Sequence, residues 1–308
     1  MNSLNKYLIA GVTASLLFLG ACSEDSGEGT VDNGQKVIDP ELLDPNRSFN
    51  TNFDGKLFSV PSPVQTALLI SSSNLKYDES LLNSEDNIGK YASNTSKSLN
   101  LGIYGADLGY ATLYDQNAKA LSYLNAVESL SNDLGIAGAF DAKFLERFEA
   151  NSNNQDSMLV ILTDAFRKGD MFLKENDRKN SSALILTGGW LESMHFATNL
   201  YAKSKDKRIF HRIGEQKQSL QTILEILGEY NIDGVNDEIL SQLNGLNELF
   251  KTVEITNEFV TPTTDENKKL TTIKNKSTMI MSAELEESIR KKVAEIRASI
   301  VGKSVEDK

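Results

Sequence analysis

The chain has 308 residues, 40% of them apolar, a formal net charge of −11 and a single cysteine. Chains of this size bury about three quarters of their unfolded surface, so a packed core can carry the fold. One cysteine excludes an intrachain disulfide and a thiolate zinc site, and the acidic balance excludes nucleic acid as an expected partner.

Residues 1–22 have the layout of a secretory signal: a polar start with Lys6, an apolar middle through Leu8, Ile9, Val12, Leu16, Leu17, Phe18 and Leu19, and small residues at the end. The apolar part is shorter than the ~20 residues a membrane-spanning helix needs. It closes on Leu19-Gly20-Ala21-Cys22. That arrangement resembles the lipobox of bacterial lipoproteins, which implies cleavage between Ala21 and Cys22 and acylation of Cys22. Several acyl chains make a stable anchor where one holds only marginally. The expected partner at this end is therefore a membrane, reached through lipid.

From Cys22 to residue 60 the chain is expected to be a flexible tether, acidic in its first half (Glu24, Asp25, Glu28, Asp32, Asp39, Glu41, Asp44) and poor in large apolar groups. As a random coil it would span roughly 35 Å. Ser23 after the cysteine, by analogy with lipoprotein sorting, favours the outer membrane, with the body periplasmic or surface-exposed. Ser23-Glu24-Asp25 also resembles the acidic export signal of Bacteroidota surface lipoproteins, although the same acids would simply keep a tether soluble.

Residues 61–302 are expected to form one all-α domain, a multi-helix antiparallel bundle, followed by a disordered tail at 303–308. Pro61-Ser62-Pro63 suits a helix start, with the helix running to Ser73. Short helical pieces are expected at 79–83 and 85–91. Leu99 to Tyr114 is apolar on nearly all sides yet carries Gly102, Gly105 and Gly109, and it reads as a central buried helix approached closely by another. Further helices are expected at 118–130, 142–148, 156–175, 183–203 with Ser181 as its cap, 208–229 and 237–253. A small β-hairpin is expected near 270–281, with Thr271–Ile273 and Thr278–Ile280 flanking a turn at Asn275-Lys276. The last helix, 282–300, shows Leu285, Ile289, Val293, Ile296 and Ile300 inward and the pairs Glu286–Arg290 and Glu287–Lys291 outward.

Pro61-Ser62-Pro63, Tyr104-Gly105-Ala106-Asp107-Leu108-Gly109-Tyr110 and Gly188-Gly189-Trp190-Leu191-Glu192 resemble segments of uncharacterised all-helical lipoproteins of Bacteroidota. The resemblance implies compartment and fold and carries no catalytic residue.

The chemistry-bearing residues are few. Glu192 and His195 share a helix face, as two ligands of a carboxylate-bridged metal bundle do, but the chain has two histidines and no second Glu-x-x-His. With Asp107 or Asp164 they would form at most a mononuclear site, the basis of an alternative reading as a metal-dependent enzyme. The plainer reading is a hydrogen-bonded histidine beside a surface glutamate. Asp164 has Arg167 and Lys168 one turn on and is expected to pair with them. Asp107 has no local partner, so burial obliges it to find a partner or a helix N-terminus; a structural hydrogen bond is the plainer reading, and lining a polar pocket with Tyr104, Tyr110 or Tyr114 the alternative. Trp190 is expected as a core anchor. A small ligand held between helices would be lined by Tyr104, Asp107, Trp190, Glu192 and His195. No catalytic, cofactor or metal motif is complete, so neither a cofactor nor a metal is expected. The leading reading is a binding or scaffold module of the cell envelope, its partner a small ligand or another envelope protein.

Overall fold

The computed structural model describes residues 31–32, 35–36, 49–53, 56–60, 75–136, 142–259, 262–265, 270–272 and 275–302. The expected signal and cleavage site at Ala21 and Cys22, the helix expected after Pro63 and the tail at 303–308 lie outside these residues. By internal contacts the chain divides into residues 1–37 and 38–308. In the first unit, β1 (Val31–Asp32) pairs antiparallel with β2 (Gln35–Lys36).

The second unit is all-α with small β-ribbons, as its apolar periodicity requires. Its helices are α1 (Asn94–Leu113), α2 (Asn117–Asp133), α3 (Ala142–Ala150), α4 (Gln155–Glu175), α5 (Lys179–Ser204), α6 (Lys207–Glu229), α7 (Asp237–Lys251) and α8 (Ala283–Val301). Side chains satisfy the first free amides of several. Ser93 accepts from Ser96 N at 3.0 Å, Asn154 from Ser157 N at 2.9 Å and Ser282 from Leu285 N at 3.1 Å. Ser181 does not cap α5: that helix starts two residues earlier, after Arg178, without a side-chain cap.

Consecutive helices run antiparallel. Lys97 meets Asp133 and Tyr104 meets Tyr123 across α1 and α2. Tyr201 stacks near Phe210 and Trp190 reaches Gln216 across α5 and α6. The spine of the unit is a pair that is not consecutive, α1 against α5. Leu99 meets Gly188 there, Asp107 meets Glu192 and Tyr110 stacks on Phe196 at 4.6 Å. Residue numbers rise together on both sides, so α1 and α5 are parallel, which short antiparallel links through α2, α3 and α4 make possible.

Glycine sets the closeness of that pair. A Cβ on Gly102 would lie 2.0 Å from the Ile185 carbonyl oxygen, and one on Gly188 would lie 1.9 Å from that of Leu99. The core divides around the spine. On one side Leu101, Tyr104, Leu108, Leu124, Val127, Leu130 and Leu162 pack from α1, α2 and α4. On the other, Leu184, Trp190, Leu191, Ile213, Leu220, Leu243, Leu246, Ile289 and Val293 pack from α5 to α8. Leu173 and not Phe172 is the inward residue at the end of α4, since Phe172 is exposed.

Two expectations about the edges need correction. The tether was expected to reach residue 60, but β3 (Phe49–Phe53) and β4 (Lys56–Val60) form an antiparallel hairpin. Phe53 is 1% exposed, with its ring 5.7 Å from that of Tyr230 and the Lys174 ammonium 3.9 Å above its centre. One aromatic anchor holds a segment whose average composition is polar. Likewise, Asn275-Lys276 is no turn. The strand β8 (Asn275–Ile280) pairs with β5 (Glu254–Phe259), and β6 (Thr263–Asp265) pairs with β7 (Leu270–Thr272), so the described strands of the α7–α8 link form two antiparallel ribbons. Met279 from β8 fills the place that a side chain at Gly214 of α6 would need.

Candidate functional site

The polar centre of the unit lies where α1, α5 and α8 meet beneath residues 75–91, a strap with only two short 3-10 turns, Glu79–Leu81 and Glu85–Lys90. Asp107 and Glu192 are each 0% exposed. Arg297 of α8 donates from Nε to Glu192 Oε2 at 2.5 Å and from Nη2 to Oε1 at 2.6 Å, a fork-on-carboxylate pair. The same Nη2 donates to the Leu81 carbonyl at 3.0 Å. Burial works against the guanidinium charge, but Glu192 and Asp107 outweigh it and strengthen Arg297's hold on its proton.

Asp107 accepts the Asn83 amide at Oδ2, 3.3 Å away, and interacts with the Glu192 carboxyl. Burial and the Glu192 charge push its proton affinity well above the usual carboxylate range, with Arg297 opposing. Asn83, itself 2% exposed, spends every polar group: its side-chain amide donates to the Tyr91 hydroxyl at 3.0 Å, Asn87 donates to its side-chain oxygen at 2.7 Å, and Tyr123 donates to its carbonyl at 2.9 Å. The Tyr104 hydroxyl donates to the Ser84 carbonyl at 2.7 Å. Burial raises the pKa of Tyr91, Tyr104 and Tyr123, so these phenols stay neutral at ordinary pH, Tyr104 and Tyr123 donating and Tyr91 accepting.

His195 sits at the margin. Its imidazole bonds the Leu81 backbone and its Nδ1 lies 3.1 Å from the Asn199 amide, while burial lowers its pKa against the pull of Glu192. It is a neutral, anchored histidine.

Of the five residues expected to line a ligand, four converge here: Tyr104, Asp107, Glu192 and His195. Trp190 does not. It is 2% exposed in the opposite half of the core and donates to Gln216 Oε1 at 2.9 Å, an anchor between α5 and α6. Asp164 is also elsewhere, paired with Arg167 at 2.8 Å and Lys168 at 2.9 Å on the surface of α4. Among the described residues no three His, Cys, Asp or Glu side chains gather as a metal-binding group, and Glu192 gives both oxygens to a guanidinium where a metal would have to stand. The arrangement instead combines a carboxylate pair, one balancing cation and neutral hydroxyls, sealed from solvent. It can hold a proton; in this closed form it cannot touch a substrate.

Sequence reasoning missed Arg297 and Asn83. Arg297 was visible as a charge one position after Ile296 and three before Ile300, on the border of the apolar stripe of α8. Nothing in the strap's sequence singles out Asn83. The expected outward pair Glu286–Arg290 is also corrected. Arg290 pairs with Glu287 at 2.6 Å, while Glu286 is 2% exposed with an unpartnered oxygen.

Comparison of the chain with protein-family models, curated proteins and solved structures finds no match. Among the described residues no helix is long and apolar enough to cross a membrane.

Proposed function

We propose that the chain is a lipid-anchored lipoprotein of the outer membrane whose helical unit acts as a scaffold or binding module in the cell envelope. The observation that carries this reading is Leu19-Gly20-Ala21-Cys22, an apolar run ending on small residues and the only cysteine of the chain. Acylation at Cys22 supplies the anchor, and the acidic residues after it keep the next segment in water. The burial of Tyr104, Asp107 and Trp190 against their own neighbours supports a partner met on the outer surface over a small ligand held between helices. The expected partner is another envelope protein.

The test uses the full chain expressed in a bacterial host fed a clickable palmitate analogue. Wild type should take up label, float with membranes and begin at Cys22 by mass spectrometry of its N-terminus. Cys22→Ala should lose label and flotation together. Membrane flotation of the unlabelled variant at the wild-type level would overturn the reading.

A further inference from the structure

The strap over the polar centre is held by side chains of the helices beneath it, hardly by its own structure. The Tyr110 hydroxyl takes the Asp78 amide at 3.2 Å, Arg297 takes the Leu81 carbonyl, Asp107 takes the Asn83 amide, Tyr123 takes the Asn83 carbonyl and Tyr104 the Ser84 carbonyl. Lys119 pairs with Glu79 at 2.7 Å at its surface edge. Directly under it is an unresolved charge count. Asp107 Oδ1 is buried with no donor from the protein, and the group beside it is the Glu192 carboxyl. Two carboxyl groups bond each other only when one carries a proton. Glu192 already receives both donors of Arg297, so the proton belongs on Asp107. The centre is then neutral: a carboxylic acid, a carboxylate and a guanidinium.

We propose that this one proton, held by Asp107 and donated to Glu192, latches the strap 75–91 over the α1–α5–α8 junction, and that its loss to solvent base opens it. Once Asp107 is ionised, two fully buried carboxylates face one guanidinium that is itself only 13% exposed, and the surplus charge requires water. Water cannot enter between α1 and α5, where the backbones leave no room for a Cβ at Gly102 or Gly188. The strap, secured mostly by single hydrogen bonds, is the side that yields. The groups facing Asp107 support this direction. From α5 come Glu192 and, at the margin, His195; from α8 comes Arg297. Tyr104 of α1, Tyr123 of α2 and Tyr77 and Tyr91 of the strap are neutral, Glu85 acts on Tyr77 and Tyr123, and the strap's own cations, Lys76 and Lys90, are exposed. Arg297 is therefore the one cation acting on Asp107 among these groups, and Glu192 has already claimed it.

The test needs two measurements on the purified full chain. At neutral pH the infrared difference spectrum of wild type minus Asp107→Asn should show a protonated-carboxyl stretch beyond that of the half-protonated Glu286, which both proteins share; a difference spectrum without such a band would end the proposal. Hydrogen exchange of residues 75–91, corrected for the intrinsic pH dependence of amide exchange, is then followed from about pH 5 to about pH 10. The wild-type strap should lose protection at least tenfold more than the core of α2 as pH rises. Asparagine keeps the shape, an acceptor for Asn83 and a donor for Glu192, but cannot ionise, so in Asp107→Asn the strap should stay protected throughout. An equal alkaline loss in both proteins, or none in wild type, would overturn the latch.

Discussion

Gly188→Ala should be among the most damaging single-methyl additions in the molecule, and the reason can be worked in ångströms. The new Cβ would stand 1.9 Å from the Leu99 carbonyl oxygen and 2.8 Å from its carbon, short of an ordinary carbon–oxygen separation of about 3.3 Å by roughly 1.4 Å. Backbone atoms cannot rotate away, so α1 and α5 must part. A gap of ~0.5–1 Å forfeits a quarter to a half of each contact's ~0.1–0.2 kcal/mol, and a leucine-sized group makes ~40–60 contacts. The loss for each such group is therefore about 2–3 kcal/mol, while alanine's better helix propensity returns at most ~1 kcal/mol. For one such group the net loss of about 1–3 kcal/mol lowers the melting temperature by about 2–12 °C for a body of this size. The control is Gly228→Ala, the same methyl in the exposed last turn of α6, where a Cβ meets nothing within 4 Å. It should be neutral or stabilising by up to ~1 kcal/mol. Thermal and urea denaturation followed by circular dichroism decide the matter. If the two variants shift in the same direction, the close-approach account of the spine is wrong.

Arg297→Met should cost about 3–5 kcal/mol, because it strands Glu192 as a buried charge. The double variant Glu192→Leu, Arg297→Met should lose less than that single change; a double-mutant cycle in urea would expose the error if losses simply add. Glu286 has its pKa pushed up to about 7 by burial, with Lys205 and Arg290 opposing and Glu287 assisting. Between about pH 4.5 and about pH 7 the folded state then binds more protons than the unfolded, so this group makes stability fall as pH rises through that window. Glu286→Gln should flatten that slope and raise stability at pH 8 by about 1–3 kcal/mol, and an unchanged slope would refute the assignment. Phe53→Ala should cost about 3–5 kcal/mol by chemical denaturation if the β3–β4 hairpin is part of the packed unit, and close to nothing if residues 49–60 behave as tether.

What could be read from the residues was whatever repeats along one element. The helices at 94–113, 155–175 and 283–301 announce themselves by apolar spacing, and the glycines of α1 pointed to a close neighbour before Gly188 was known to be it. Asp107, with no ion partner one turn away, was expected to find a structural hydrogen bond, and it accepts the Asn83 amide while lying against Glu192. The identity of that partner was not legible, because Glu192 lies 85 positions on and Arg297 another 105, and pairing at such distances is decided by how helices register. The ribbon between α7 and α8 failed for a related reason. Its threonine-rich run shows β preference, but Glu254–Phe259 mixes polar and apolar residues and gives no sign of which strand it joins. The hairpin at 49–60 was lost because a composition average hides a buried anchor such as Phe53.

The glycines and the charges of the centre are two halves of one device. Contact of Gly102 and Gly188 with the opposing backbones sets how closely α1 lies on α5, and at that separation Asp107 meets Glu192. Sliding α5 by one turn would leave Asp107 facing His195 or Phe196 and take Glu192 out of reach of Arg297. An uncompensated buried carboxylate costs several kcal/mol, so the slipped pairing is penalised even though leucines and glycines would tolerate it. The apolar surface makes the two helices associate without deciding their alignment, and the triad supplies the alignment at the expense of stability. The Glu192→Leu, Arg297→Met protein tests this division of labour: it should stay folded yet lose chemical-shift dispersion for the methyls of Leu99, Ile103 and Leu191, the mark of a spine that no longer holds one register.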